Sequence, residues 1–244
     1  MGRDKPAAPG INCFTCQHRN RSEWCVLSAQ EMEQLNANKT CRAHAKGEVL
    51  FHEDDPCLGI YCVEDGLIGI RKSAADGGSV LLGRLAGPGS TLGYRPLLAG
   101  ETHHGTAEVL KDSTVCFIDR ETVWDLLSHN PALGMEFLRI ASRALGEAED
   151  EIFQLTNLSL RTRIAHLLVV MIRRFGTQSD DGRVVLELPL SRPDLAAMVG
   201  ARPESVSRAI REMTADGVAY FSGRTVNIPD FESLLREIHH EGHI

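Results

Sequence analysis

Long hydrophobic runs are absent from this chain of 244 residues. The longest uninterrupted apolar stretch, Leu167 to Ile172, is far too short to cross a bilayer, which takes about 20 apolar residues. The first ten residues are polar and rich in proline, so they lack the apolar core of a secretory signal peptide. The sequence therefore predicts neither a membrane span nor secretion, and the expected location is the cytoplasm.

A basic excess is also missing, since 26 lysines and arginines face 33 acidic residues for a net charge of -7. This balance argues against binding nucleic acid through bulk electrostatics, although it leaves room for a small basic edge. No nucleophile is paired with a base in a recognisable pattern, and no glycine-rich phosphate loop follows a predicted strand. An enzyme is therefore not expected.

Cysteine, in contrast, is plentiful, with seven residues. In a cytoplasmic chain this number is more typical of metal binding, redox sensing or core packing than of structural disulfides. Cys57 and Cys62 lie in or beside an apolar run and are interpreted as small core residues. His103 and His104 lie in a polar run with no third ligand nearby in sequence, so both are expected to be solvated.

Residues 47–120 have the pattern of a β-domain, in which short apolar runs are separated by Gly and Asp turns. This spacing is typical of a jelly roll or small barrel. The runs are Val49–Phe51, Leu58–Val63, Leu67–Ile70, Val80–Leu85 and Val115–Ile118. A short helix is predicted from Asp119 through Leu127, and Pro131 begins a much longer one.

Apolar residues recur along this long helix at alternating spacings of three and four, the pattern of a coiled-coil seam. They are Leu138, Ala141, Leu145, Ala148, Ile152 and Leu155. The narrow seam favours a parallel partner helix in a homodimer. The alternative is a helix that packs this stripe on its own β-domain. Between the seam positions lie acidic residues that would repel across a two-fold axis and weaken the dimer.

Residues 191–210 predict a helix-turn-helix. Ser191 can cap a first helix, Gly200 supplies the turn, and Pro203 begins a second helix. The residues that face inward at helical spacing are Leu195, Val199, Val206 and Ile210. Two short alternating runs, 218–221 and 225–228, flank a turn that contains Gly223 and predict a hairpin. The segment therefore has the pattern of a winged helix.

The second helix presents Glu204, Ser207 and Arg208 together on its outer N-terminal surface. That end of a recognition helix enters the major groove, where arginine suits guanine and glutamate accepts from cytosine. The candidate DNA-binding residues are Arg202, Glu204, Ser205, Ser207, Arg208 and Arg211. Double-stranded DNA is therefore the expected partner.

A β-roll, a dimer helix and a winged helix in this order resemble the cyclic-AMP receptor and fumarate–nitrate regulator family of bacterial transcription factors. The resemblance covers about residues 13–230, and its most specific motif is E-x-x-S-R at Glu204–Arg208. The cyclic-AMP branch carries an arginine where this chain has Pro203, so the resemblance favours the anaerobic-regulator branch. It implies TTGAT-type inverted repeats as targets and RNA polymerase as a further partner.

The expected fold class is α+β. The resemblance implies a cysteine-bearing segment at 1–30, a cyclic-nucleotide-binding-like β-roll at 31–128 and a dimerisation helix at 129–156. A winged helix-turn-helix is expected at 157–230, followed by a C-terminal helix or tail at 231–244.

Cyclic nucleotide is not the expected effector. Family members that bind it use a G-E-L turn and a downstream R-S/T-A segment, which resemble Gly93-Tyr94-Arg95 and Gly105-Thr106-Ala107 here. The glutamate for the ribose and the arginine for the phosphate are therefore both replaced. Without its arginine, a buried phosphate would lose a charge-assisted bidentate contact.

The cysteines resemble those of the oxygen-sensing branch, where three N-terminal cysteines and one from the β-roll hold a [4Fe–4S] cluster. The resemblance implies Cys13, Cys16, Cys25 and Cys116 as ligands. Eight residues separate Cys16 from Cys25, which is longer than the family's usual interval, and Cys41 is a possible substitute ligand. One alternative is a zinc site or thiol switch that uses Cys13, Cys16, Cys25 and Cys41. Others are a haem or nitric-oxide sensor and a metal-binding β-roll or enzyme with a vestigial DNA domain.

Overall fold

The computed structural model describes residues 11–73, 79–178 and 183–239. The chain divides into two compact units, Met1–Gly146 and Glu147–Ile244. Residues 1–10 of the predicted N-terminal segment and 240–244 of the predicted tail lie outside the described residues. Within the described ranges, no helix is long and apolar enough to cross a membrane.

The first unit is built on an antiparallel sheet. Its strands are β1 (Lys39–His44), β2 (Val49–Phe51), β3 (Gly59–Ser73), β4 (Ser79–Ala86), β5 (Thr91–Leu92) and β6 (Thr106–Asp119). They follow the order β1-β6-β3-β4, with β2 paired to β6 and β5 paired to β3. The predicted β-domain is confirmed. The structure adds β1 before the first expected strand and joins the runs 58–63 and 67–70 into the single strand β3.

An irregular stretch of β3 connects these two runs. The pairing with β6 shifts register between Val63 and Ile68. Gly66 lies there at φ +98°, and a Cβ on it would come within 2.1 Å of the Ser113 hydroxyl. The same hydroxyl accepts from the Leu67 backbone N–H at 3.0 Å. Only glycine fits this position, so Gly66 lets one strand carry both apolar runs.

Helices cover one face of the sheet. They are α1 (Ala29–Asn38), α2 (Tyr94–Ala99), α3 (Arg120–His129) and the start of α4 (Pro131–Asn157). Helix α1 begins at a capping box between Ser28 and Glu31. Beneath the helices lies a core that includes Met32, Leu35 and Phe137. The segment before α1 forms two short 3₁₀ helices, Arg19–Arg21 and Glu23–Val26, and it packs on the same core.

A second core fills the interior of the β-roll, with Phe51, Val63 and Val109 among its members. His103 packs beside this core, stacked on the Phe51 ring at 3.7 Å between centroids. The expectation that His103 is solvated is wrong, because only 2% of it is exposed. His104 is exposed as expected. The error arises because the stacking partner of His103 is far away in sequence.

Helix α4 begins at Pro131, as predicted, and runs without a break to Asn157. Its first turns bury Leu133 and Phe137 in the core of the first unit. Five of the six members of the predicted seam are exposed in the single chain, among them Leu138 (58%), Leu145 (62%) and Ile152 (62%). Leu138 and Leu145, which lie in the first unit, therefore do not pack on the chain's own β-domain.

The second unit combines helices with a small antiparallel sheet. Its elements are α5 (Leu160–Phe175), β7 (Gly176–Gln178), β8 (Val184–Glu187), α6 (Arg192–Met198), α7 (Pro203–Ala215), β9 (Tyr220–Ser222), β10 (Thr225–Ile228) and α8 (Phe231–His239). The strand order is β7-β8-β10-β9. The predicted helix-turn-helix and hairpin are confirmed, although β9 begins at Tyr220. Strands β7 and β8 were not predicted.

Arg161 ties the helices of the second unit together. Its guanidinium donates to both carboxylate oxygens of Glu237 on α8, at 2.6 and 2.7 Å. It also pairs with Asp216, the residue that ends α7. These bonds raise the pKa of Arg161 above its usual range. Because Leu234 on α8 is also fully buried, residues 231–239 form a docked helix and not a frayed end.

Candidate nucleic-acid interface and cysteine cavity

The turn between α6 and α7 is set by local chemistry. Ser191 caps α6: its hydroxyl accepts from the Asp194 N–H at 3.2 Å, and the Asp194 carboxylate accepts from the Ser191 N–H at 3.1 Å. Gly200 lies in the turn at φ +61°, and a Cβ there would come within 2.4 Å of Leu155. Both the backbone angle and the close approach require glycine. The sequence pattern therefore positions α7 correctly.

Helix α7 presents the predicted reading residues to solvent. Glu204, Ser207 and Arg208 are exposed on one side, whereas Val206 and Ile210 are buried on the other. The Ser207 hydroxyl donates to the Pro203 carbonyl at 2.9 Å. Among the described residues, neither Glu204 nor Arg208 has a side-chain hydrogen bond or ion pair. Their functional groups are thus available to an external partner.

Further exposed arginines surround this surface. Arg202 occupies the position that begins α7 and makes no side-chain cap bond. Arg211 follows on the helix, where its Nε donates to the Ser207 carbonyl at 3.3 Å. At the hairpin, the Arg192 guanidinium lies 4.9 Å from the centre of the Phe221 ring. This contact fixes the first turn of α6 against the wing.

A partly open cavity lies in the first unit, between the sheet, helix α1 and the N-terminal segment. It encloses about 50 Å³, several times the space that one water needs (~10–15 Å³). Four cysteines line it: Cys13, Cys16, Cys62 and Cys116. Its charged lining residues are Arg19, Lys39 and Glu64. We call this space the cysteine cavity.

Hydrogen bonds hold the N-terminal thiols at the cavity. The Cys13 backbone N–H donates to Asn36 on α1 at 2.9 Å, and the Cys16 thiol donates to the Glu64 carboxylate at 3.2 Å. Burial raises the pKa of Cys13, while Lys39 opposes that shift. Burial, and then the bond to Glu64, raises the pKa of Cys16. Both thiols are therefore protonated at neutral pH until a metal or another cation displaces the proton.

The predicted ligand Cys25 lies elsewhere. Its side chain is exposed on the 3₁₀ helix Glu23–Val26, and within the described structure it does not line the cavity. The predicted ligand Cys116 lines the cavity but is joined to Cys41 by a disulfide. The described residues contain no group of three or more His, Cys, Asp or Glu placed to hold a metal ion, and this includes the free thiols of Cys13, Cys16 and Cys62. The structure thus brings three of the four predicted ligands to one cavity and leaves out Cys25.

Sequence reasoning missed Cys62, which it interpreted only as a core residue. Cys62 and Glu64 lie close together on β3, and both line the cavity. Cys62 pairs with Cys116 across β3 and β6. This pairing of distant segments is not visible in the sequence.

Two known families match the chain. The family described as "Cyclic nucleotide-binding domain" matches residues 41–130, and the one described as "Crp-like helix-turn-helix domain" matches residues 162–237. The chain is 26% identical to the transcriptional activator protein FnrL of Cereibacter sphaeroides, over 92% of this chain and 91% of that protein. It is also 26% identical to a CRP-like cAMP-activated global transcriptional regulator of Mycobacterium tuberculosis, over 78% and 84%.

The fold has close counterparts among solved structures. FixK2 from Bradyrhizobium japonicum superimposes with a TM-score of 0.68 at 27% identity, covering 81% of this chain and 96% of that one. In the sequence of this chain, one matched domain precedes helix α4 and the other follows it. Together the two domain models cover more than half of the chain, which belongs to the CRP/FNR family of DNA-binding transcription regulators, and the relatives named here are transcription regulators.

Proposed function

We propose that this regulator binds a TTGAT-type inverted repeat. The observation that carries the proposal is the exposed start of α7, where Glu204 and Arg208 lie one turn apart with no partner among the described residues. Arg208 offers two donors that suit guanine O6 and N7, and Glu204 accepts from cytosine N4. Arg202, Ser205 and Arg211 flank them and suit contacts to phosphates and sugars.

Ser207 already makes a hydrogen bond within its own helix. Its hydroxyl hydrogen is donated to the Pro203 carbonyl, but its oxygen lone pairs remain exposed. Ser207 therefore suits acceptance from a base amino group, or a van der Waals contact with the groove, more than donation.

The same proposal includes a homodimer. Leu138, Leu145 and Ile152 form an exposed apolar stripe at heptad spacing on α4, and a partner helix would cover it. The remaining seam residues are smaller or less exposed. Ala141 packs partly on its own core, Ala148 is exposed and Leu155 is 38% exposed. Two copies of α7 can then read two half-sites about one helical turn apart, with RNA polymerase as the further partner.

The DNA proposal is tested by competition binding under anaerobic conditions. Labelled TTGAT-type repeat is displaced from the full chain by either unlabelled repeat or a scrambled duplex of equal length. We expect the repeat to compete at least about a thousandfold better, which is the lower end for specific regulators. Equal competition by the two duplexes would contradict the proposed target.

We further propose that the cysteine cavity senses oxygen through a [4Fe–4S] cluster. Four thiols line the cavity, and thiolates are the preferred ligands of such clusters. A cluster bound by four thiolates is anionic, and Lys39 and Arg19 supply positive charge at the wall. The Nε of Arg19 is buried and has no partner within the described residues. The donor chemistry and the charges therefore suit the group, but the described residues hold no three such ligands already placed for a metal ion, so binding would require both reduction of Cys116 and closer approach of the thiols.

Cys13, Cys16 and Cys116 are three proposed ligands. When bound, the cluster supplies an oxygen-sensitive bond between the N-terminal segment and β6. Movement of β6 could reach the dimer helix through the chain itself, because β6 continues directly into α3 and then α4. Cys116 lies three residues before Asp119, whose carboxylate caps α3 by accepting from the Thr122 N–H at 2.8 Å. A shift of β6 would therefore be passed to the start of the dimer helix.

A thiol switch is the second candidate, favoured by the disulfide between Cys41 and Cys116. The two residues lie directly opposite each other on β1 and β6. Reduction by a dithiol would convert the bond into two thiols and leave the reductant as a disulfide, so electrons and protons balance. In this version the same Cys116 changes state without iron.

Cyclic nucleotide is not proposed as the effector. Tyr94 replaces the expected glutamate, and its ring is buried and stacked against Phe137 at 6.0 Å. Gly105 replaces the expected arginine and lies against the Arg71 carbonyl, where a side chain would collide at 2.7 Å. These two positions therefore offer no charged contact to a ribose or a phosphate.

Anaerobic purification distinguishes the effectors. A brown protein with broad visible absorption and equal iron and sulfide supports the cluster. A sharp Soret band would point to haem, and a colourless protein with redox-dependent DNA binding would favour the thiol switch. Micromolar affinity for cyclic AMP by calorimetry would contradict the assignment of Tyr94 and Gly105.

A further inference from the structure

Three elements of the second unit meet where helix α4 ends. The unit begins at Glu147, so it contains the last turns of α4 together with α5 and the helix-turn-helix. Leu155 lies near the end of α4 and packs against the turn between α6 and α7, where a Cβ on Gly200 would come within 2.4 Å of the Leu155 Cδ2. The helix that carries the predicted seam therefore contacts the element that presents the candidate DNA-binding residues.

Arg163 on α5 joins the same three elements. Its Nη1 donates to the Leu155 carbonyl at 3.3 Å, and a Cβ on Gly200 would lie 3.6 Å from that same Nη1. The last carbonyls of a helix have no partner further along it, so a guanidinium there satisfies a free acceptor and complements the helix dipole. Ser159 begins α5 next to this contact, and its hydroxyl accepts from the Thr162 N–H at 3.2 Å. One leucine and one guanidinium thus hold the end of α4 against the turn.

Two neighbouring seam residues differ in what covers them. Ile152 is 62% exposed, whereas Leu155, one turn further along the same side of α4, is 38% exposed. Part of the Leu155 side chain is already covered by the chain's own turn at Gly200, so less of it is available to a partner helix. Ile152 is therefore suited to a dimer contact, and Leu155 to a contact within the chain.

We propose that Leu155 and Arg163 are positioning residues that fix the helix-turn-helix on the last turn of α4. This inference rests on the proposed homodimer. Both residues act through the turn at Gly200, which leads directly into α7. A dimer gains affinity from an inverted repeat only when both copies of α7 can reach their half-sites at once. Fixing the turn on the seam helix therefore favours binding of the full repeat and does not affect binding of a single half-site.

Hydrogen exchange of the full chain, followed by mass spectrometry, tests this role without DNA. In the turn, the Gly200 N–H donates to the Ala197 carbonyl at 3.0 Å. We expect the turn amides to exchange about tenfold faster in Leu155→Ala and in Arg163→Ala, less than the effect of removing a fully buried leucine. Leu155→Met keeps the side-chain volume and should restore wild-type exchange. Unchanged exchange in Leu155→Ala would overturn the proposal, whatever the chain binds.

A second measurement compares affinity for the full repeat with affinity for a duplex that carries one half-site. Leu155→Ala and Arg163→Ala should stay dimeric by sedimentation and bind the full repeat about tenfold more weakly, while their affinity for one half-site stays within about twofold of the wild type. Ile152→Ala is the matched control on the seam: it should weaken the dimer and leave exchange of the turn amides unchanged.

Two outcomes of this comparison would overturn the proposal. A monomeric Leu155→Ala would assign Leu155 to the dimer interface, and an equal loss of affinity for both duplexes would show that the contact only supports the fold of the unit. Failure of the proposed function gives a different result, because the wild type itself would then be monomeric or show no preference for the repeat. In that case the exchange comparison, with its rescue by Leu155→Met, decides the role of Leu155 by itself.

Discussion

The two units of the chain differ in how their functional side chains are placed. All seven cysteines belong to the first unit, and four of them line a cavity between its sheet and the N-terminal segment. The second unit has no cysteine, and its candidate DNA contacts are exposed within residues 202–211 of one helix and its cap. The first unit therefore holds its candidate functional side chains in a cavity, whereas the second unit exposes them to solvent.

This difference determines what a substitution does. On α7, Glu204 and Arg208 support nothing else among the described residues, so their removal should change what is bound and leave the fold intact. In the cavity, Cys16 is bonded to Glu64, 48 residues away, and Cys116 is bonded to Cys41 across 75 residues. There a substitution affects both binding and the packing of distant segments.

The largest expected effect is on helix α4, which runs through both units. Ile152→Glu would place a charge in the proposed seam, and burying an unpaired charge costs about 3 kcal/mol or more in each protomer. The variant should sediment as a monomer and lose specific DNA binding, while both units stay folded by circular dichroism. Glu151→Gln, at the neighbouring exposed position, is the matched control and should remain dimeric. A dimer that persists in Ile152→Glu would place the interface elsewhere.

A smaller effect is expected from substitution of Arg161, which should lower the stability of the second unit alone. Arg161→Ala removes the two bonds to Glu237 and the pair with Asp216, so the free energy of unfolding of that unit should fall by about 2 kcal/mol. Arg161→Lys keeps the charge but not the paired geometry and should recover part of the loss. Chemical denaturation should show this change while reconstituted iron is unaffected. A parallel loss of iron would show that the effect of Arg161 is not confined to the second unit.

Arg208→Ala should alter recognition without altering stability. The lost base contact should reduce discrimination between the repeat and scrambled DNA by about 1–3 kcal/mol, measured in the competition assay. Glu204→Ala should have an effect of similar size. Glu212→Ala, on an exposed position of the same helix outside the candidate contacts, is the matched control. Full specificity in Arg208→Ala would show that α7 does not read bases through this residue.

The same contrast explains how far the sequence could be interpreted. The helix-turn-helix follows from local rules, because Ser191, Gly200 and Pro203 each act on their own turn or helix end. The exposed face of α4 follows from its spacing. These features need no knowledge of distant contacts, and the structure agrees with them.

The cavity could be predicted only in part, because it depends on strand pairing. Cys116 was expected at a metal site, but its partners on β1 and β3 follow from register, which the sequence does not display. Cys62 is both a packed residue and a cavity residue, and composition alone reveals only the first role. His103 was expected in solvent because its stacking on Phe51 joins residues 52 positions apart.

His103 also provides the smallest expected effect, which concerns the pH dependence of the first unit. Burial lowers the pKa of His103 below its usual value of 6.5, more than nearby Asp55 raises it. The unfolded chain therefore binds more protons than the folded chain between the lowered pKa and 6.5. Stability from this residue is complete above pH 6.5 and is lost as the pH falls through that interval. One proton can contribute a slope of at most about 1.4 kcal/mol per pH unit.

His103→Phe removes this titration and keeps an aromatic ring against Phe51. Denaturation of the reduced chain between about pH 5.5 and 7.5 should show a shallower loss of stability in acid than the wild type, because the usual histidine pKa lies in this range. His52→Gln changes an exposed histidine of the same unit and should leave the wild-type slope. If His103→Phe and the wild type lose stability in parallel, the acid sensitivity of the first unit arises from another group. The stacked imidazole would then be only a packing element of the β-roll.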